Sequence, residues 1–309
     1  TDTVTLDGDK LLIEPGAIVK FGPYKGIELD ADSRIVAAGT RRDPIVLTSI
    51  KDDRFGGDTN GDGDATEPAA GDWRWIDLSG STGIFAHATI AFGGGTASGH
   101  WDRTGVFRPG GGRLSVSNCV IRDSFFDGIL NDGADSRVVN SLFTGIDRAI
   151  TAHGGHIDVV NCTLYDNNVG LLLHGGSMHA VNTLVAGSLE AGVLHDGGLD
   201  DYEGDSCCVW NPDATAGNYV GTADLTGTDG NISADPLFAA PAHSNFRLDY
   251  TAPAIDAADT TLAPAKDMMG SPRCDDPLVD NTGVPDGEGR YADIGAYEFV
   301  ANAPSDIDL

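Results

Sequence analysis

An asparagine that recurs every 21 or 22 residues is the feature that most constrains how this chain can fold. Four apolar runs, SVSN, RVVN, DVVN and HAVN, each end in this residue, and the small and apolar residues after it recur with the same spacing. The four residues are Asn118, Asn140, Asn161 and Asn182. A fixed period of this length, with short β-type runs between glycine and aspartate turns, is typical of a solenoid.

The repeat predicts an all-β fold, a parallel β-helix with a coil period of about 21–22 residues. Leucine-rich repeats have similar lengths, but they need a strict leucine pattern and a helical segment, and neither is visible here. Coils of a β-helix stack about 4.8 Å apart, the spacing of paired strands, so equivalent residues form columns along the axis. We expect the four asparagines to form one such structural column, with inward side chains and amide-to-amide hydrogen bonds.

The charge of the chain excludes several classes of protein. There are 47 acidic and 19 basic residues, which gives a formal net charge of −28. A surface this negative repels phosphate backbones, so no nucleic-acid partner is expected. No run of 18 apolar residues occurs, so no membrane insertion is expected either. A turn-rich, acidic composition of this kind favours an extracellular protein, from which we expect any export signal to have been removed.

The segment DTNGDGD (58–64) is the clearest candidate for a metal site. Oxygen-bearing side chains at its first, third and fifth positions, with glycine at the sixth, match the first half of an EF-hand-type calcium loop. The acid that closes such a loop is missing, because the twelfth position is Ala69. The candidate calcium ligands are Asp58, Asn60, Asp62, Asp64 and Glu67. The alternative is a solvated acidic turn without a cation.

Three histidines form a second candidate group. His153, His174 and His195 each lie 13 residues after a repeat asparagine, and Asn131 takes the equivalent place in the preceding coil. Equal spacing predicts that they stack on adjacent coils. Stacked imidazoles are compatible with a shared zinc or copper ion, with a polar ladder at a strand end, or with a pH-sensitive or ligand-contacting face.

The five cysteines suggest a mixture of free and bridged thiols. Cys119 and Cys162 follow repeat asparagines two coils apart, a separation of about 9.6 Å that exceeds the reach of a disulfide. We therefore expect both to be free and buried. In an oxidising compartment, Cys274 could pair with Cys207 or Cys208, and a vicinal bridge between the latter two is the alternative.

Both ends of the chain resemble a known family. LLIEPGAIVKF (11–21), AAGTRRDPIVLTS (37–49) and GDWRWIDL (71–78) resemble the opening coils of secreted bacterial right-handed β-helix repeat proteins. NISADPLF (231–238), FRLDYTAPAIDAAD (246–259), KDMMGSPR (266–273) and ADIGAYEF (292–299) resemble the choice-of-anchor Q domain. ANAPSDIDL (301–309) resembles the first strand of cadherin-like repeats. The resemblance implies a right-handed, pectate-lyase-like solenoid on a bacterial cell surface, and it carries no catalytic residues to transfer.

Together these features predict a domain plan and a function. We expect β-helix coils over 1–238 with an acidic loop inserted at 51–72, a C-terminal coil or cap region at 239–299, and a linker at 300–309 into a following domain. The expected function is that of a non-catalytic, monomeric module of a large cell-surface protein, acting as a calcium-stabilised stalk, an adhesin or a carbohydrate-binding scaffold. The alternative is a polysaccharide-active enzyme, a calcium-dependent lyase or a hydrolase, that uses a groove on the β-helix.

Overall fold

The computed structural model describes residues 2–95, 105–198 and 201–300, and they form a parallel β-solenoid of about nine turns. The predicted all-β fold and its stacked parallel coils are thereby confirmed. Helical structure in these ranges is limited to one 3₁₀ turn, Pro241–His243. They include no helix with the length and hydropathy needed to cross a bilayer. The predicted linker 300–309 lies outside the described residues, except for its first position.

Short strands make up the coils. In chain order they are β1 (Val4–Leu6), β2 (Lys10–Ile13), β3 (Ile18–Phe21), β4 (Ile27–Leu29), β5 (Arg34–Ala38), β6 (Ile45–Ser49), β7 (Ile76–Asp77), β8 (Thr82–Ala86), β9 (Ala88–Ala91), β10 (Gly105–Arg108), β11 (Arg113–Ser117), β12 (Val120–Arg122), β13 (Asp127–Val139), β14 (Leu142–Thr144), β15 (Arg148–Val160), β16 (Thr163–Tyr165), β17 (Val169–Val181), β18 (Leu184–Ala186), β19 (Ala191–His195), β20 (Asp201–Asp205), β21 (Cys208–Trp210), β22 (Gly217–Val220), β23 (Phe238–Ala240) and β24 (Asn245–Leu248).

Each coil contributes to three faces. The first face runs through β1, β4, β7, β10, β19 and β22, and the second through β2, β5, β8, β11 and β20. The long strands β13, β15 and β17 bend and pass through both of these faces, with register shifts at the bend. The third face is a separate eight-stranded sheet of β3, β6, β9, β12, β14, β16, β18 and β21. Only β23 and β24 pair antiparallel among the named strands.

Alternation of side chains along the strands fills the interior. On the third face, Ile121, Phe143 and Leu164 are fully buried and stack in register from β12 to β16. On the second face, Val138 and Val159 occupy another such column. Because successive side chains of a strand point to opposite sides, the residues next to these buried positions on the same strand face outward. The 21–22-residue period therefore keeps the same positions inside in each coil.

The C-terminal region packs against the outer side of the third face. The outward-facing Val120, Leu142 and Leu184 are nearly fully buried because residues after 245 cover them. Their main apolar partners in the C-terminal region are Phe246, Leu248, Ala254, Ile255, Met268, Ile294 and Tyr297. This region is mostly turns, and it lies along several coils rather than forming another one.

A buried ionic cluster holds the C-terminal region together. The Arg273 guanidinium donates to Glu298 Oε2 over 2.9 Å and to Asn140 Oδ1 over 3.1 Å. Asp293 lies beside Glu298, and burial raises the pKa of both carboxyls above the ordinary range. Asp256 is also fully buried, and burial raises its pKa to about 6. Arg273 is thus the cation that pairs with Glu298 within this group of buried carboxyls.

The structure corrects the expected disulfide. All five cysteines are free, so neither Cys274 nor the adjacent Cys207 and Cys208 form the proposed bridges. The Cys207 and Cys208 thiols are buried against the carbonyls of Ala180 and Ala234, each over 3.3 Å, whereas Cys274 is exposed. Cys119 and Cys162 are free and fully buried, as their two-coil separation predicts.

Native thiol labelling will distinguish the exposed cysteine from the buried ones. In the folded protein we expect Ellman's reagent to modify Cys274 alone, because it is exposed, and slowly, because partial desolvation of its sulfur and nearby carboxylates raise its pKa to about 11. Burial raises the pKa of Cys119, Cys162 and Cys207 to about 12, so they will react only after unfolding. Labelling of unreduced, unfolded protein should count five thiols. A count of three with a mapped bridge to Cys274 would restore the disulfide.

Candidate functional site

The acidic loop, residues 51–72, connects β6 to β7 and is tied to the solenoid at both ends. At its start, Asp52 is fully buried and accepts a hydrogen bond from Thr48 Oγ1 over 2.7 Å. Arg54 binds the same carboxylate with two nitrogens, at 2.7 and 3.1 Å. Burial alone would raise the pKa of Asp52, but these hydrogen bonds outweigh it and the pKa is lowered. At its end, Asp72 accepts from Ser49 Oγ and pairs with Lys51 Nζ.

Three carboxylates meet inside the loop. One oxygen each from Asp53, Asp58 and Asp62 lies within 4.8 Å of the others. The Asp58 carboxylate also accepts hydrogen bonds from the backbone amides of Gly63 and Gly61, at 2.8 and 2.7 Å, and these keep its pKa below the usual value. The backbone of the turn therefore holds Asp58 ionised and fixed in place. We call these three residues the carboxylate cluster.

Two oxygens of the carboxylate cluster have no hydrogen-bond donor. Asp53 Oδ1 and Asp62 Oδ1 are buried from solvent and make no hydrogen bond. Lys20 Nζ forms a long ion pair with Asp53 Oδ1, at 3.9 Å, and donates its hydrogen bond to the Gly57 carbonyl. Buried carboxylate oxygens without a hydrogen-bond donor are costly. A hard cation that takes oxygen ligands, such as Ca²⁺, would satisfy both oxygens and offset the repulsion among three carboxylates.

The structure separates the five candidate ligands of the loop. Asp58 and Asp62 belong to the carboxylate cluster, and Asn60 donates its amide to Asp62 Oδ2 over 2.9 Å. Asp64 and Glu67 instead line the cavity next to the loop. Asp53 is not among the five ligands predicted from the sequence, because it lies outside the EF-hand-type pattern that begins at Asp58. The run Asp52-Asp53 before the loop was the available signal.

A cavity of about 720 Å³ lies between the acidic loop and the turns that follow the third-face strands. The loop side contributes carboxylates and two cations, and the coil side contributes Phe92, Asp123 and Gly145. Asp53 lines this cavity and also belongs to the carboxylate cluster. Burial raises the pKa of Asp123, and the nearby Arg122 and Arg54 only partly reverse that effect. Because Asp53 belongs to both, a ligand bound in this cavity would contact a residue of the carboxylate cluster.

Two smaller cavities continue the first along the solenoid. The second, of about 270 Å³, shares Asp123 and Gly145 with the first. The third, of about 330 Å³, shares Tyr165 and Pro241 with the second. The 3₁₀ turn and the β23–β24 hairpin contribute lining residues to the second and third cavities. Since each cavity shares lining residues with the next, we treat the three as one feature, the axial groove.

The floor of the axial groove is a column of turn residues that the sequence reading missed. Each follows a third-face strand, and each has a positive φ, between 51° and 67°. The members are Phe92, Asp123, Gly145, Asp166 and Gly187. Left-handed backbone favours glycine, asparagine and aspartate, so four of the five are residue types suited to it. The signal was present, because the last four lie five residues after each repeat asparagine.

The four repeat asparagines occupy the turns before the third-face strands. All have φ between 47° and 52°, and neighbours Asn118–Asn140 and Asn161–Asn182 are joined by amide hydrogen bonds of 3.4 and 3.2 Å. The expected inward orientation does not hold. The amides of three of them bind the C-terminal region, which lies outside the coils: Asn140 donates to the Lys266 carbonyl, Asn161 to those of Asp293 and Gly295, and Asn182 to that of Asp259.

The histidines form a pair rather than a column of three. The rings of His153 and His174 are stacked, with centroids 5.0 Å apart and planes 12° from parallel. Nitrogen lone pairs lie in the ring plane, so stacked rings do not aim them at one shared ion. His195 is instead in register with Leu173, because the turn before β19 has one residue more than the turn before β17. The same offset places Asn131 in register with Ala152.

Carboxylates on neighbouring coils pair with the histidines of this surface. His174 Nδ1 lies 2.8 Å from Asp196 Oδ1, and His153 Nδ1 lies 3.4 Å from Asp132 Oδ1. Among the described residues, Asp53, Asp58 and Asp62 form the one group of three metal-binding side chains close enough to share an ion.

Comparison with known proteins adds no assignment to this geometry: no protein-family model matches the chain, and no curated protein matches it.

Proposed function

We propose that this chain is a non-catalytic, extracellular β-solenoid module of a larger cell-surface protein, in which the acidic loop binds Ca²⁺ and the axial groove binds carbohydrate. The observation that carries the proposal is the position of Asp53, which belongs to the carboxylate cluster and also lines the largest part of the groove. A cation bound by the cluster would fix the wall of the binding groove. Stalk and adhesin roles both fit such a module.

The proposed location rests on the sequence resemblance and on charge. The opening coils resemble secreted bacterial β-helix repeat proteins, and the parallel solenoid is the fold that this resemblance implies. The proposed anchor-type C-terminal part coincides with the region that covers the third face. A net charge of −28 disfavours the binding of nucleic acid and of other anionic polymers.

A second candidate function, a polysaccharide lyase or hydrolase, is favoured by one observation. Asp123 has a raised pKa inside the groove, close to Arg122 and Arg54, and a carboxyl group of this kind can act as a general acid. The two functions differ in a direct assay. A lyase would generate unsaturated, ultraviolet-absorbing products from acidic polysaccharides with Ca²⁺, and a binding module would leave the polymer intact.

Calcium should raise the melting temperature of the protein. A cation that binds only the native state stabilises it in proportion to the logarithm of its concentration over Kd. For a chain of this size, a rise of a few degrees is expected at millimolar Ca²⁺ compared with excess EDTA. Mg²⁺ demands a tighter octahedron and should substitute poorly. The measurement is a thermal melt by circular dichroism in each of the three conditions.

Isosteric variants will identify the ligands. Asp53→Asn and Asp62→Asn keep the size of each side chain and remove its charge, so both should abolish the calcium-induced rise. Asp64→Asn is the matched control, because Asp64 lies in the same loop but outside the carboxylate cluster. Identical melts of the unaltered protein in EDTA and Ca²⁺ would refute the calcium site. Loss of the rise in Asp64→Asn alone would move the site to the ligand set derived from the sequence.

A further inference from the structure

Large and small side chains alternate along the axial groove. The last residues of the third-face strands are in register with one another, and they run in the order Arg122, Thr144, Tyr165, Ala186 and Trp210. The two aromatic residues among them, Tyr165 and Trp210, are thus separated by two coils. Both line the third cavity of the groove, with the small Ala186 between them.

The neighbouring column repeats with the same period. Asp123 and Asp166 alternate there with Gly145 and Gly187. Since stacked strands are about 4.8 Å apart, Tyr165 and Trp210 lie about 9.6 Å apart along the axis, and so do Asp123 and Asp166. Two independent rows of side chains therefore share one repeat of two coils. Four coil steps, from Arg122 to Trp210, span about 19 Å.

We propose that the axial groove binds an unbranched, uncharged polysaccharide in an extended conformation, lying parallel to the solenoid axis, with two sugar units for every two coils. In an extended β-linked chain, successive sugars alternate in orientation, so the chain presents the same face only at every second unit. The two-coil period of the groove matches this alternation. The inference rests on the carbohydrate-binding part of the proposed function and specifies its ligand.

The chemistry of the groove fits uncharged sugars. Aromatic rings bind the apolar faces of sugar rings, and Tyr165 is held in place by edge and tilted contacts with Phe238 and Phe246, at 5.2 and 5.3 Å. Asp123 and Asp166 supply carboxylate oxygens that accept hydrogen bonds from hydroxyl groups. The same carboxylates repel the acid groups of polyuronates and sulfated glycans. The charge of these two carboxylates disfavours anionic polymers, and the spacing favours an extended chain over a coiled one.

The test compares two neutral hexasaccharides of glucose by isothermal titration calorimetry at millimolar Ca²⁺. Cellohexaose is β-linked and extended, whereas maltohexaose is α-linked and coiled, so they differ in shape and not in composition. Cellohexaose should bind at least about tenfold more tightly. Cellobiose, which reaches only one aromatic position, should bind far more weakly than cellohexaose. Polygalacturonate should not compete.

Variants of the groove connect binding to the two-coil period. Trp210→Ala should weaken cellohexaose binding about tenfold, since it removes one stacking platform. Asp166→Asn should weaken it about fivefold, because the amide tolerates the left-handed turn but replaces a charged acceptor. Asp158→Asn, on the outer side of the second face, is the control and should bind like the unaltered protein. A melt of each variant verifies that it is folded.

The outcomes separate this inference from the proposed function. Equal affinity for the two hexasaccharides, or no binding of cellohexaose, overturns the extended-chain ligand even when calcium still raises the melting temperature. Binding that Trp210→Ala and Asp166→Asn leave unchanged overturns the groove as the site. A calcium effect that is absent while cellohexaose binds with the expected preference removes the calcium part of the proposed function and supports the groove.

Discussion

Replacing Arg273 by alanine should lower the free energy of unfolding by about 3–5 kcal/mol at pH 8, the usual effect of breaking a buried ion pair. Arg273 is 4% exposed, and its guanidinium binds both Glu298 and Asn140. Without it, Glu298 would lose its ion-pair partner while it lies beside Asp293 in the interior. Burial already raises the pKa of both carboxyls, and the substitution would raise that of Glu298 further.

The pH dependence gives the effect of Arg273→Ala a distinct signature. A carboxyl whose folded-state pKa is raised binds a proton in the native state, so its stabilising effect is present at low pH and is lost as the pH rises through that pKa. The deficit of Arg273→Ala should therefore shrink when urea titrations are repeated at pH 5. Arg113→Ala, which removes an exposed ion pair with Asp135, is the control and should change stability by less than about 0.5 kcal/mol. A deficit of Arg273→Ala that is equal at both pH values would contradict the uncompensated-charge explanation.

Asn161→Ala should lower the free energy of unfolding by about 3 kcal/mol. Its amide donates to two C-terminal carbonyls, at 3.2 and 3.3 Å, and its carbonyl accepts from Asn182 over 3.2 Å. Loss of these bonds at a fully buried position costs about 1–2 kcal/mol. The left-handed backbone, with φ of 47°, adds about 1–2 kcal/mol for alanine. Chemical denaturation measures the sum.

A glycine variant separates the two causes. Asn161→Gly removes the same hydrogen bonds but tolerates the positive φ, so it should recover about 1 kcal/mol relative to Asn161→Ala. Asn118→Ala lies at the end of the column, where the side chain is half-buried, and its loss should be the smaller of the two alanine variants. If Asn161→Gly were as unstable as Asn161→Ala, backbone conformation would contribute nothing at this turn.

The coils were predictable because stacking repeats the same environment every 21 or 22 residues. An interior position in one coil is an interior position in the next, so the fold is visible in the sequence as a repeat of the same residue types. The C-terminal region has no period, and nothing in its sequence indicates that it lies against the repeat asparagines. The period alone therefore predicts an inward Asn161, whereas in the structure its amide binds carbonyls of the C-terminal region.

Small differences in turn length account for the error in the histidine column. Counting from the repeat asparagines treats each coil as equal, but the turn before β19 holds four residues and the turn before β17 holds three. His195 therefore shifts by one position relative to His174. Similarly, the alternation within 58–64 could identify Asp58 and Asp62 but not Asp53, which lies five residues before Asp58 and outside that pattern.

The C-terminal region changes how the solenoid can come apart. In a simple solenoid each coil touches only its neighbours, so coils can fray one at a time from an end. Here Lys266 and Arg273 bind at Asn140, Asp293 and Gly295 at Asn161, and Asp259 at Asn182. These contacts join three successive coils to one covering segment that runs across all of them. The coils beneath it, which include that of Val120, should therefore unfold as a single cooperative block, whereas the coils nearer the N-terminus can fray one at a time.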